Sequence, residues 1–191
     1  MRIEIIGPAG SGKSTLARKI AGYYGIPFYE KDRIVYRFDP KDEMRTAEEQ
    51  ERIMSEMFAC GDWVTEGPDR DFLTETYPLD DLIIILHPPK RVCMFRVTKR
   101  WLEQVLEIRD YRISRNPKTL YYQYKNQFLF DRRLERRYRE IRGATDAQIV
   151  EFSTRDSSEK AFEYVLEMFP IEGDRRMDVG SLDILKIRDN R

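Results

Sequence analysis

Directly after the β-branched run Arg2 to Ile6 the chain reads Gly7-Pro8-Ala9-Gly10-Ser11-Gly12-Lys13-Ser14, the spacing GxxxxGK[ST] of a phosphate-binding loop. No other stretch constrains the fold as much, because such a loop needs a strand entering it and a helix leaving it. Its glycines let successive backbone N–H groups turn inward as an anion nest. Lys13 has the reach for β- and γ-phosphates, and the Ser14 hydroxyl is a hard oxygen ligand for Mg²⁺. A helix beginning near Lys13 adds the positive end of its dipole. An ordinary glycine-rich turn requires neither the lysine and serine at those positions nor this strand-to-helix context.

The rest of the chain alternates in the way a parallel sheet covered by helices requires. Leu82 to Leu86 is apolar without interruption, as in a strand buried on both faces. Shorter strands are expected at 26–29, 63–65 and 148–152. Helices are expected over 13–24, from Asp39-Pro40 to about Ala59, from Pro88 to about Glu107, over 118–142 and over 157–169. The polar stretch 109–117 is expected as a short lid, and 171–191 as a tail with little periodicity. At 191 residues, one domain covering 1–170 is the natural reading. Cys60 and Cys93 lack CxxC spacing and His87 is the one histidine, which argues against a disulfide scaffold or a zinc site. No apolar run is long enough to span a bilayer, so a cytoplasmic protein without membrane contact is expected.

Lys plus Arg and Asp plus Glu both number 34, so bulk charge advertises no polyanionic partner. The balance is regional: residues 90–142 carry sixteen bases against six acids, a local excess of +10 that the remainder cancels. The chain has no NKxD and no LSGGQ-like stretch, which lowers guanine-nucleotide switches and transporter ATPases and leaves a kinase of small molecules in front. Such an enzyme needs a strand-end carboxylate near Mg²⁺, an acceptor site, and cations that close over the transferring group. Glu66, at the end of Trp63-Val64-Thr65-Glu66-Gly67, is the candidate carboxylate. Asp32 is the acceptor-side candidate, either as a base toward a hydroxyl or as a group that orients the acceptor. Arg70 is a candidate clamp for an acceptor phosphate or carboxylate. Arg96 and Arg100 share a helical face, as do Arg132 and Arg136, and Arg133 and Arg137, so two helices flanking the lid can present arginines. Bases interleaved with Tyr121, Tyr122 and Tyr124 also admit a nucleic-acid groove, and with it an ATP-binding regulatory switch acting on a nucleic-acid or protein partner.

The opening Arg2 to Ala17, the Gly25-Ile26-Pro27 that follows, the Trp63 to Gly67 stretch, the strand Leu82 to Leu86 and the helix around Arg96-Val97-Thr98-Lys99-Arg100 together resemble the adenylate kinase-like proteins labelled DNA topology modulation proteins. The resemblance covers about 170 residues. It implies a nucleoside-monophosphate-kinase-like P-loop fold, with a five-stranded parallel sheet in order 2-3-1-4-5, helices on both sides and a small lid. It suggests ATP as donor; with the loop motif, the expected ATP-binding residues are Gly7, Gly10, Ser11, Gly12, Lys13, Ser14, Thr15, Arg96 and Arg155, with Mg²⁺ at Ser14 and Glu66. An Asp-Gly-Phe-Pro-Arg stretch of adenylate kinases would fall on Glu66 and Arg70, with glutamate replacing aspartate. Lid-flanking arginines would fall on Arg96 and Arg100 and on Arg132 or Arg133, and an adenine-side loop on Ser153-Thr154-Arg155. The expected activity is transfer of the γ-phosphoryl group to a small acceptor, a nucleotide or nucleoside.

Overall fold

The structure, a computed structural model, describes residues 1–37, 43–67, 75–109 and 114–171. In chain order the elements are β1 (Arg2–Ile6), α1 (Lys13–Tyr24), β2 (Phe28–Glu30), α2 (Lys31–Val35), the short strands β3 (Tyr36–Arg37) and β4 (Glu43–Met44), α3 (Ala47–Cys60) and β5 (Trp63–Gly67). A 3₁₀ turn (Tyr77–Leu79), β6 (Leu82–Leu86), α4 (Lys90–Val105), α5 (Pro117–Ala144), β7 (Gln148–Phe152) and α6 (Ser157–Met168) complete the set. Five strands form one parallel sheet in the order β2-β5-β1-β6-β7, with β3 and β4 paired separately and antiparallel. Numbering only the five sheet strands gives 2-3-1-4-5, the order the resemblance implies.

Strand alternation sorts the core into two layers. Ile3 and Ile5 of β1 face α1 and α6, where Leu16, Ile20, Ala161 and Val165 close over them. Ile6, Ile83 and Ile85 face the other way, against Phe130, Leu134 and Ile141 of α5. All five residues of β6 are buried, as its unbroken apolarity requires. His87 follows β6 directly and ties three elements together, with Nδ1 3.1 Å from Glu151 Oε1 of β7 and Nε2 3.0 Å from Asp131 Oδ1 of α5.

Strand β2 and helix α4 are each offset by about two residues from the sequence reading, and two larger differences stand out. The acidic helix begins at Ala47, because Thr46 caps it: the Thr46 hydroxyl accepts from the Glu49 N–H, and the Glu49 carboxylate accepts from the Thr46 N–H. Residues Glu43–Met44, inside the expected helix, are strand, and Asp39-Pro40 lies outside the described residues. The second is α2, a one-turn helix where only a chain exit from the sheet was expected. Of the expected lid, residues 110–113 lie outside the described residues, and so does the tail from 172 onward.

Under the β1–β5 pair lies a polar group that no strand pattern announces. Glu4 of β1 is 2% exposed, and Lys31 Nζ stands 2.6 Å from its Oε1. The hydroxyls of Thr65 (2.9 Å) and Thr76 (3.1 Å) donate to Glu4 Oε2. Asp80, also buried, accepts from Trp63 Nε1 at 3.3 Å. Burial, and after it the charge of Glu4, push the Asp80 carboxyl up from 3.8 to about 8, against the pull of Lys31 and of the Trp63 hydrogen bond. The folded state therefore keeps a proton that the unfolded chain releases near pH 4, and the stability this contributes is lost as pH rises from about 4 to about 8. Asp80→Asn keeps an acceptor for Trp63 and removes that decline. In urea unfolding from about pH 5 to about pH 9, the variant should gain on the wild type up to about pH 8 and no further. A difference that stays constant across the range would show that Asp80 titrates as an ordinary carboxylate.

Candidate functional site

The loop between β1 and α1 has the backbone its sequence calls for. Gly10 and Gly12 take φ of 79° and 106°, where a side chain is strained, and Gly12 is the N-cap of α1. At Gly10 a Cβ would also lie 2.7 Å from the Cys93 carbonyl of α4. The loop closes on itself through the Ser11 N–H to the Pro8 carbonyl at 3.1 Å. Ser11 is fully buried, and its Oγ has no hydrogen-bond partner among the described residues, so the turn holds a polar atom with capacity to spare.

Lys13 and Ser14, the first two residues of α1, both reach Glu66. The Ser14 hydroxyl donates to Glu66 Oε1 at 2.6 Å, and Lys13 Nζ lies 3.7 Å from Oε2. Register explains the meeting: β5 pairs with β1 so that Glu66 lies beside Ile5 and Gly67 beside Ile6, and the strand delivers its acid to the edge where the loop begins. Glu66 is buried, so its charge acts in a medium of lower dielectric than water. A serine hydroxyl and a carboxylate are the hard oxygen donors that suit Mg²⁺. Among the described residues no group of three or more His, Cys, Asp or Glu side chains could hold a metal.

Asp32 comes to the same edge by way of β2, whose Glu30 pairs in register with Glu66. It lies in the single turn of α2, half-buried, two residues beyond that pairing. Arg70 lies outside the described residues.

The arginines divide. Arg96 Nη1 donates to the Gly10 carbonyl (3.3 Å) and the Ser11 carbonyl (3.2 Å), and its Nη2 donates to the Arg155 carbonyl (3.2 Å). It is thus a brace that joins the loop to α4 and to the turn before α6. Arg155 is exposed and meets the site through its backbone. Arg100 is one turn beyond Arg96 on the same side of α4, half-buried. Arg132 and Arg133 are exposed. The α5 residue that touches the loop is Gln127, and the two arginines lie roughly 140° and 120° around the helix from it. The structure therefore brings together the loop, Lys13, Ser14, Glu66 and Arg96, sets Asp32 and Arg100 at the margins, and leaves Arg132 and Arg133 on the far side of α5.

Gln127 is the residue that sequence reasoning missed. It is 2% exposed, and its Nε2 donates to the Ala9 carbonyl. Its signal was present: Gln127 heads the buried stripe Gln127, Phe130, Leu134, Arg137, Ile141 of α5, and an amide in an apolar stripe needs a partner.

A glycine-rich loop between the central strand and its helix, in a parallel sheet of order 2-3-1-4-5 flanked by helices, gives the chain the P-loop α/β fold. Deoxyadenosine kinase from M. mycoides with bound dATP is similar over 88% of this chain and 98% of its own, at 12% identity and a TM-score of 0.50. Shikimate kinase from Acinetobacter baumannii in complex with shikimate is similar over 89% and 95%, at 17% identity and a TM-score of 0.47. No known family profile matches the chain. No curated protein matches it in sequence.

Proposed function

We propose that this chain is an ATP- and Mg²⁺-dependent phosphotransferase of the nucleoside-monophosphate-kinase type, carrying the γ-phosphoryl group to a small acceptor, a nucleotide or nucleoside. The observation that carries the reading is the convergence of Lys13 and Ser14 on buried Glu66 at the mouth of the phosphate loop. The sequence resemblance to adenylate kinase-like proteins supports the same choice of acceptor class.

In this reading the loop amides and Lys13 hold the donor's β- and γ-phosphates, and Arg96 keeps the loop in shape by tying down its carbonyls. Ser14 and Glu66 hold Mg²⁺, which would neutralise charge on the transferring group. An acceptor oxygen beside Asp32 attacks the γ-phosphorus, and the bond from that phosphorus to the bridging oxygen breaks, releasing ADP. Where the acceptor is a hydroxyl, Asp32 takes its proton; where it is a phosphate, Asp32 orients it. Lys13 and Arg100 supply positive charge as it builds on the equatorial oxygens. Arg70 is the candidate clamp for an acceptor anion, and Arg132 and Arg133 take part only if α5 turns toward the loop.

The test is purified protein with Mg·ATP and a panel of nucleoside monophosphates, nucleosides and small hydroxy acids, following ADP against a control without acceptor. Acceptor-stimulated ADP release is the expected result. A second reading, an ATP-dependent switch acting on a nucleic-acid or protein partner, is favoured by the bases Lys125, Arg132, Arg133 and Arg139, which stand exposed along α5. Slow hydrolysis that no acceptor stimulates would overturn the kinase and favour that switch.

A further inference from the structure

Among the described residues ten large apolar side chains stand exposed, and seven of them lie on α4, the turn that ends it, or α5. Their placement is not random. Thr98 of α4 and Tyr124 of α5 are joined hydroxyl to hydroxyl, which fixes where the two helices meet. Phe95 and Leu102 lie three before and four after Thr98; Tyr121 and Phe128 lie three before and four after Tyr124. Each pair therefore rides the same ridge as its hydroxyl and flanks the seam from its own helix. Leu106 and Ile108 continue the α4 ridge, where Phe95, Leu102, Leu106 and Ile108 line a shallow apolar groove.

The exposure of these residues is large. Phe95 is 69%, Tyr121 64% and Phe128 56% exposed, so the three rings alone present roughly 400 Å². With Leu102, Leu106 and Ile108 added, the face exceeds the ~300–600 Å² of the largest patch on an ordinary monomer. It approaches the ~800 Å² that each partner contributes to a stable complex.

We infer that this α4–α5 face is the interface through which two copies of this chain associate about a two-fold axis. Charge favours a second copy over an unrelated partner. Among the described residues the charged side chains that line the groove are Lys99 and Glu103, one turn apart and 3.8 Å from each other within the chain. A two-fold axis perpendicular to α4 near residue 101 reverses the helix end for end. Lys99 of each copy then meets Glu103 of the other, Phe95 lies on Leu106, and Leu102 lies near its own mate. The face is self-complementary in both polarity and charge, which an isologous interface demands. Two helices from each copy then pack as a four-helix arrangement. Arg96, which braces the phosphate loop, lies at the flank of this face, roughly 90° around α4 from its centre, and the buried side opposite the face carries Cys93, Val97 and Gln104.

Sedimentation velocity on the full-length chain, from micromolar to hundred-micromolar concentration, tests this. A reversible dimer is expected. Leu102→Asp should raise its dissociation constant by about tenfold or more, with the urea midpoint unchanged because Leu102 is solvent-facing in the single chain. Lys99→Glu and Glu103→Lys should each weaken the dimer, and the double variant should recover it. A chain that stays monomeric throughout overturns the inference, whether the face is then covered by residues of the same chain or by another protein. A dimer that ignores Leu102→Asp and both charge reversals overturns it as well.

Discussion

Lys13→Ala should lower acceptor-stimulated ADP formation by roughly 10²- to 10³-fold, the loss that follows removal of one preorganised charge donor from a transition state. The ammonium is the group in the loop able to follow negative charge as it moves from the γ-phosphoryl group to the leaving bridge oxygen. Backbone amides are fixed and serve the ground state nearly as well. Most of the loss should therefore fall on kcat rather than on the KM for the acceptor. The fold should survive. Alanine is the best helix former for the first position of α1, and Glu66 keeps the Ser14 hydrogen bond at 2.6 Å after its 3.7 Å contact with Lys13 is gone. Lys13→Arg should not rescue, because a planar fork cannot take the place of a compact ammonium between two phosphates. Steady-state ADP release, with the urea midpoint as a control for folding, decides the matter. Turnover near the wild-type value in a folded variant would mean that the loop does not serve phosphoryl transfer at all.

The loop was legible because everything it needs is local. Glycines at positive φ, a lysine and a serine follow one another within eight residues, and β1 and α1 announce themselves on either side. The central strands were legible for a related reason: burial on both faces leaves an unbroken apolar run such as Leu82 to Leu86. The order of the strands was not readable from residues and entered through the resemblance. The start of α3 was hidden in an acidic stretch, although Thr46 and Glu49 spell out the capping box that sets it. Spacing puts Arg96 on one face with Arg100 and the resemblance puts both beside the lid, but neither says which protein groups the Arg96 guanidinium also meets in the fold. In the structure it finds three backbone carbonyls. The group under β1 was illegible for the same reason: Glu4, Lys31, Thr65 and the Thr76 to Asp80 turn are far apart in sequence and acquire meaning only once β1 and β5 lie side by side.

That buried group makes the largest prediction about stability. Lys31→Met should cost about 3–5 kcal/mol, because it leaves Glu4 charged or forces a proton onto it in a place water does not reach. For a chain of this size the loss corresponds to a fall in Tm of roughly 10 °C or more. The two threonine hydroxyls that donate to Glu4 soften the penalty without cancelling it, since neither brings a full charge. The pair itself is a different matter. Two ions taken out of water recover in mutual attraction little more than they lose in hydration, so Glu4→Leu combined with Lys31→Met should regain most of the lost stability. Function separates the two outcomes further. Lys31 opens α2, the turn that carries Asp32, and its side chain packs on Gly67, the residue after Glu66. In the proposed kinase the ion pair would therefore set the distance between Asp32 and Glu66, a spacing that an apolar pair of similar volume reproduces only loosely. The double variant should fold and bind ATP as the wild type does, yet show an acceptor KM raised by about tenfold, a displacement worth ~1.4 kcal/mol. Urea unfolding of the three variants with nucleotide titration and acceptor kinetics on the double variant tests both halves. A Lys31→Met chain as stable as the wild type would show that the ion pair contributes nothing net. A double variant with unchanged acceptor KM would confine Lys31 to holding the sheet together.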